Sequence, residues 1–496
     1  MRSGEGKYKE NKLNSFAAII FRIFLFAVIP SAIYTQDITL EYIFRDTNIV
    51  NPRPSLKFIS PLSQKIYYYA DEDYNGSLSL FDMNYETGDV FKYSDTGEAA
   101  SEFRILENGD ALNVISGDVY ISKNFTSTRT NSRDIRITET DEYEYSPEIR
   151  GNYIFYRRKG NYYLRKFDSL GVKGKEFRIT GDESDSVSYQ IVDKTGNYKY
   201  EPGIELRLFI IKYNNNSKKK LVFPDYNDKF VKAETQKRGL SNVQHFEYII
   251  RSAGKDSLYS VIKEIQLPVN ERYSVSYAGY SPNGKELVID AENMTRNERR
   301  IFIYTAASGN INEIYSETYD GWFERHNNYT VFADTSKLIF ESEISGYNNL
   351  YTLNTDGTEF TKIAGGDYLI QYSVYNSSNK TVYFTANPDK PYTYNLFSVE
   401  LTGGKVSQLT DTDGEPDNLK LSPDGRNLFY ENSYITRPSE LFVMNLETYQ
   451  VKQLTNTSSP EFLNTDWVLP ELITFNNDED GQKIYGFVYK PRDFDP

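Results

Sequence analysis

Cysteine is absent from the 496 residues, and histidine and tryptophan occur twice each. Without cysteine there can be no disulfide, no thiolate metal site, no cysteine nucleophile and no lipidated cysteine behind a leader. With only His245 and His326 there is no multi-histidine metal cluster, and neither a metal nor a cofactor is expected. Basic residues are outnumbered, 56 against 70 acidic, for a formal net charge of −14. Nucleic acid is therefore not an expected partner, because phosphate binding needs a net basic face that releases counterions. Beyond residue 35 no apolar run is long enough to span a bilayer.

Tyrosine and phenylalanine are abundant instead, 43 and 30 residues. They suit a pleated, half-buried surface and tilt the composition towards an all-β protein. The length admits one large domain or two to three average ones, with ample buried core.

Residues 1–35 stand apart. Arg2, Lys7, Lys9 and Lys12 precede an apolar run from Phe16 to Ile33, with Ser31, Ala32 and Thr35 just ahead of Gln36. This is the layout of a signal peptide or of an uncleaved membrane anchor. Arg22 interrupts the run, and a charge at mid-membrane costs about 2.5–3.5 kcal/mol. Taken as the end of the basic region, it leaves Ile23–Ile29 as a short apolar core. Either reading places the body of the chain outside the cytoplasm: periplasmic, secreted or anchored.

From about residue 55 one pattern repeats every 40–50 residues: strand, tight turn, aromatic-rich strand, third strand, polar turn, closing strand. The clearest copy is Asn418–Thr455, with the turn Pro423-Asp-Gly425, where Pro pre-sets φ and Gly accepts a positive φ. Further copies start near Ser276, Tyr329 and Ile370, and weaker ones span Leu56–Tyr93, Glu102–Thr138 and Glu144–Thr180. Residues 187–270 are left for one more copy with an insertion, including the polar tract Asn214–Lys220, read as a solvated turn. The period is that of four-stranded propeller blades. Eight blades over residues 36–469 are expected, against a rival set of unrelated β-sandwiches whose turns would not recur in phase.

Chemistry is hard to find. No G-x-S-x-G elbow, no H-E-x-x-H and no phosphate-cradling glycine loop occurs. His245 sits in an alternating strand pattern and reads as a packed or edge residue. His326, in Gly321-Trp-Phe-Glu-Arg-His-Asn, is placed ahead of a strand, where a binding role is more plausible. Asp71-Glu-Asp-Tyr-Asn-Gly76 resembles a calcium loop, but strands flank it and Asn-Gly is a hairpin signal, so the hairpin reading prevails. Glu341 and Glu343 alternate on one strand face and are expected at the solvent. Asp478-Glu-Asp-Gly481 is expected to be an exposed hairpin turn.

Several fragments, in order, resemble the amino-terminal region of dipeptidyl peptidase IV-type serine peptidases of the prolyl oligopeptidase family. They are Thr39-Leu-Glu-Tyr-Ile-Phe, Arg53-Pro-Ser55, Tyr280-Ser-Pro-Asn-Gly-Lys, Asp320-Gly-Trp-Phe, Ser345-Gly-Tyr-Asn-Asn-Leu-Tyr, Val382-Tyr-Phe-Thr-Ala-Asn and Leu421-Ser-Pro-Asp-Gly-Arg. Residues 470–496 are similar to the strand pair that opens the family's α/β-hydrolase domain. The resemblance implies a substrate-gating propeller acting in proteolysis of oligopeptides. It implies that the catalytic Ser, Asp and His lie in a hydrolase domain missing from this chain, which alone is then inactive. The family's glutamate pair for the peptide amino terminus has no convincing counterpart; Glu201 and Glu205 lack the motif. Trp322, Arg325 and His326 are the candidate substrate-binding residues, since their loop corresponds to one facing the family's active-site cavity. The resemblance admits a homodimer. The alternative reading is a free-standing extracytoplasmic propeller that binds a protein or glycan partner.

Overall fold

The computed structural model describes residues 52–491 and 494, apart from 94–103, 107–108, 124–132, 169–170, 182–186, 192–203, 215–220, 226–231, 237–244, 255–259, 270–272, 325–328 and the single positions 73, 75 and 151. The leader or anchor expected over residues 1–35, Glu201, Arg325, His326 and the tract after Asn214 lie outside the described residues. Among the described residues no helix is long and apolar enough to cross a membrane.

Eight four-stranded antiparallel sheets follow one another along the chain, each a meander in sequence order. The blades span 55–92, 104–136, 144–178, 187–265, 273–318, 330–364, 370–408 and 415–453, and are numbered 1 to 8. The fold is thus an all-β, eight-bladed propeller, as the repeats predicted. Blade 4 carries the expected insertion, a two-stranded hairpin of Leu221–Asp225 and Lys232–Gln236. A helix, α1 (Pro460–Asn464), follows blade 8, and a final hairpin pairs Glu471–Asn476 with Lys483–Val488.

Each blade's second strand is apolar almost throughout because both its faces are covered. In Lys65–Ala70 of blade 1, Ile66, Tyr68 and Ala70 pack towards blade 8, whereas Tyr67 and Tyr69 pack towards blade 2. In blade 6, Leu338 and Phe340 face blade 5, and Ile339 faces blade 7. Side chains alternate along a strand, so a strand wedged between two neighbours needs apolar residues at odd and even positions alike. Eight apolar clusters fill the eight junctions, one for each pair of adjacent blades including 8 with 1.

Among the described residues the ring closes through side chains, and no strand is shared between the first and last sheets. Instead Phe429, Leu441 and Val443 of blade 8 enter the cluster of Leu56, Ile66, Tyr68 and Phe81 of blade 1. Lys420 Nζ donates to Leu56 O at 2.6 Å, and Lys452 Nζ donates to the carbonyls of Tyr85 and Glu86 at 2.8 Å. Arg53 reaches Asp417 at 3.3 Å and Glu431 at 3.6 Å.

Two local devices recur. Ser281-Pro-Asn-Gly284 and Ser422-Pro-Asp-Gly425 are the same turn in blades 5 and 8, with Gly284 and Gly425 at φ 68° and 71° and their amides donating to the serine carbonyls. The second device is a threonine latch at the end of the fourth strand. Its hydroxyl accepts a backbone amide of the third strand and donates to the polar side chain of the residue just before that amide. The latch joins Thr138 to Val119 N and Asp118, Thr180 to Tyr162 N and Asn161, Thr410 to Leu396 N and Asn395, and Thr455 to Leu441 N and Glu440. It satisfies buried backbone groups where the ladder runs out.

The structure corrects one placement. Glu341 does not face solvent: it is 1 % exposed, and Glu343 lies beyond the strand end at Ser342. The alternation rule assumes one wet face, and the second strand of a blade has none. The first strand of blade 8 also begins earlier than its alternation suggests, at Glu415, because a bulge at Asn418 (φ 50°) breaks the period.

Candidate functional site

In a four-stranded meander, the turns between second and third strands and the connectors between blades emerge on one face of the ring. The other two turns of each blade emerge on the opposite face. Trp322 lies in the connector from blade 5 to blade 6, and Glu343–Asn348 form the second turn of blade 6. These two segments meet on the connector face.

The connector is pinned from below. Phe323 is 1 % exposed, its amide donates to Arg296 O at 2.8 Å, and the amide of Tyr319 donates to Asn297 O at 2.8 Å. With Phe323 turned in, the neighbouring Trp322 is left 64 % exposed. Across from it, the Glu324 amide donates to Glu343 Oε2 at 3.2 Å. Gly346, at φ 91°, closes the facing turn by donating its amide N–H to Glu343 O, a conformation that favours glycine. Between the segments is an open cavity of about 280 Å³, lined by Tyr319, Trp322, Glu324, Glu343, Tyr347 and Asn348 among others.

Beneath the cavity is a buried ionic cluster. Arg299, 0 % exposed, donates to both Asp290 oxygens at 2.9 and 2.6 Å, to Glu317 Oε1 at 3.0 Å and to Glu341 O at 2.5 Å. It also lies over the Phe340 ring, 5.4 Å from the centroid. Burial opposes its charge, but Asp290 and then Glu317 outweigh that and hold the guanidinium protonated above its ordinary range. Glu317 accepts from Tyr315 and Ser342 as well, which anchors the start of the cavity's turn. Glu341 accepts from Ser373 of blade 7 at 2.6 Å and from Asn348 Nδ2 at 3.0 Å. The same Nδ2 donates to Ile370 O at 2.7 Å. Both of its partners are acceptors, which fixes the amide orientation. Asn348 Oδ1 is buried and has no hydrogen-bond partner.

The connector face carries two further features. Tyr392, in the second turn of blade 7, contacts Tyr485 and Phe487 of the final hairpin, with ring centroids 5.6 and 5.4 Å away. Tyr74, in the corresponding turn of blade 1, donates to Ser458 O ahead of α1 at 3.4 Å. The hairpin is exposed along its length. Ile473, Phe475 and Ile484 lie on the face turned from Tyr392 and are 38, 54 and 40 % exposed. Its turn is the one expected at Asp478–Gly481, with Gly481 at φ 72°.

Residues 241–429 match the family profile described as the dipeptidyl peptidase IV (DPP IV) N-terminal region. The propeller is DPP IV-like. The chain is also similar to the crystal structure of Porphyromonas gingivalis dipeptidyl peptidase 4, with a TM-score of 0.65 and 14 % identity. That similarity covers 90 % of this chain and 66 % of the other, so this chain spans just under two thirds of that protein's length.

Of the candidate residues, Trp322 lines the cavity of the DPP IV-like propeller, whereas Arg325 and His326 are outside the described residues. His245 opens the third strand of blade 4, in line with a strand placement. Among the described residues no cluster of three or more acidic or histidine side chains could hold a metal. Glu324, Glu343, Tyr347 and Asn348 were not singled out from the sequence as site residues. Their signal was the phase of the repeat, since a blade connector and the second turn of the next blade emerge on the same face.

Proposed function

We propose that this chain is the substrate-gating propeller of an exported DPP IV-like serine peptidase that acts on oligopeptides. Acyl transfer would fall to an α/β-hydrolase unit supplying the Ser, Asp and His, standing on the connector face. One observation carries the reading: the exposed apolar hairpin 471–488 rises from the face on which the Trp322 cavity opens. A hydrolase sheet continuing from that hairpin would cover its bare face and roof the cavity. Enclosure of this kind admits short or unfolded peptides, excludes folded proteins and dries the reacting centre. A free-standing binding propeller has no use for such a hairpin.

The test is capture of the native protein from extracytoplasmic fractions of its source with antibodies against the propeller. The captured material is expected to hydrolyse a Gly-Pro or Ala-Pro reporter and to contain a polypeptide labelled by a serine-directed phosphonate. Captured propeller with neither activity nor label would overturn the reading, as would its confinement to the cytoplasm.

A further inference from the structure

We propose that Asp417 and Glu431 of blade 8 form a proton-binding site that controls how the segment entering blade 1, residues 52–54, is tied across the ring seam. With both carboxylates ionised, Arg53 is held between them. One proton taken up by the pair loosens it.

Asp417 and Glu431 are register partners on the first and second strands of blade 8. Like charges directly opposite one another in a sheet are destabilising. The two side chains are 24 and 2 % exposed, so water screens their repulsion poorly. One guanidinium serves both. Arg53 Nη1 is 3.3 Å from Asp417 Oδ2 and 3.6 Å from Glu431 Oε2, and its own side chain is 64 % exposed. Glu431 Oε1 accepts from Asn418 Nδ2 at 2.6 Å, whereas Asp417 Oδ1 is buried and accepts from no described residue. Two negative charges thus share one loosely held positive charge, an imbalance that a proton removes. Among the described residues, the other titratable groups facing Asp417 are Glu415 on its own strand and Tyr372 on the first strand of blade 7. Lys420 faces Glu431 and Lys57, but its amine is committed to Leu56 O. Burial and Glu431 push Asp417 up to about 6, with Arg53 opposing.

Of the three polar ties described above between blades 8 and 1, those of Lys420 and Lys452 end on carbonyl oxygens, which do not titrate. The tie of Arg53 ends on carboxylates, so acid loosens it. Arg53 favours the ionised pair, and by linkage the ionised pair favours Arg53. Ionising Asp417 costs the fold, because burial and Glu431 outweigh Arg53, yet the ionised form holds Arg53 more tightly. The entering segment is therefore tied firmly above about pH 6 and loosely below it.

The chain has no cysteine, so Pro52→Cys offers one attachment point, beside Arg53, for an uncharged nitroxide. Electron paramagnetic resonance of the labelled 496-residue chain reads the mobile and held fractions of the label from about pH 4.5 to about pH 8. The mobile-to-held ratio is expected to rise about two- to fivefold on acidification, the range of a partly exposed ion pair, with its midpoint near pH 6. In Asp417→Asn the ratio is expected to be independent of pH. In Glu431→Gln the midpoint moves to lower pH, because the like charge is gone. In Arg53→Gln the ratio is high and flat throughout. The same label at Ser308→Cys, on the opposite face, is expected to respond to none of these changes. A ratio that does not vary with pH, a pH dependence that survives Asp417→Asn, or an Arg53→Gln ratio equal to the parent's at pH 8 would overturn the proposal. A rise shared by the label at position 308 would overturn it too, since the loosening would then be general.

Discussion

Replacing Arg299 by methionine tests the floor of the cavity and the junction of blades 5 and 6. The guanidinium and its two carboxylate partners, Asp290 and Glu317, are all within 1 % of complete side-chain burial. Methionine keeps much of the side-chain volume over Phe340 but strands both carboxylates in a dry junction. Removing one partner of a buried ion pair costs about 3–5 kcal/mol. With two carboxylates stranded, the upper end of that range is expected, a large part of the about 5–15 kcal/mol that holds a typical domain together. Urea unfolding followed by far-ultraviolet circular dichroism measures it as a lowered midpoint. A triple variant, Asp290→Asn, Arg299→Met and Glu317→Gln, removes the charges together and should recover most of the loss. A deficit below about 1 kcal/mol for Arg299→Met, the range of exposed pairs, would refute the reasoning.

Other expectations follow from the same contacts. Asp417 is pushed up to about 6 by burial and by Glu431, with Arg53 opposing, so its carboxyl weakens the fold as pH rises from 3.8 through 6. Asp417→Asn should flatten stability across that window and, after allowance for its partial exposure, gain about 1–2 kcal/mol at pH 7, read from thermal melts at several pH values. Thr455→Val removes a donor to the fully buried Glu440 and the acceptor for Leu441 N, and should lose about 2–3 kcal/mol in urea titrations. Leu441→Ala, in the cluster that closes the ring, should lose about 2–5 kcal/mol. A loss as small as that of a surface substitution would mean the ring does not close there. Phe475→Lys with Ile484→Lys should raise the solubility of the isolated chain while leaving melting within about 0.5 kcal/mol, because both residues are exposed; sedimentation of concentrated samples checks this.

Much of the ring could be read from residues alone, because each blade repeats one sequence of strand, turn and aromatic strand. Pro423-Asp-Gly425 and Ser281-Pro-Asn-Gly284 marked turns whose chemistry is local, and local chemistry is legible. Glu341 was misplaced because burial there is imposed by blade 7, which no pattern within its strand records. The threonine latches escaped notice for the same reason: Thr410 and Thr455 look like ordinary turn residues until the third strand lies beside them. In the cavity, Trp322 stood out through the resemblance of its loop to one facing the family's active-site cavity. Asn348 did not, since its role depends on which of its two amide atoms the neighbouring blade leaves unpaired. Blade 4 was the hardest to delimit because its inserted hairpin interrupts the period.

The central claim is that chemistry, where it occurs, covers the connector face. The chain has no cysteine, so Ile344→Cys on the cavity's turn and Ser308→Cys on the opposite face each introduce one propeller thiol. Maleimide labelling, mapped by mass spectrometry, compares these variants in the 496-residue chain and in the peptidase assembly proposed for it. The account predicts that Ile344→Cys reacts freely in the chain and is protected in the assembly, while Ser308→Cys reacts equally in both. Protection of position 308 with position 344 left open would contradict it.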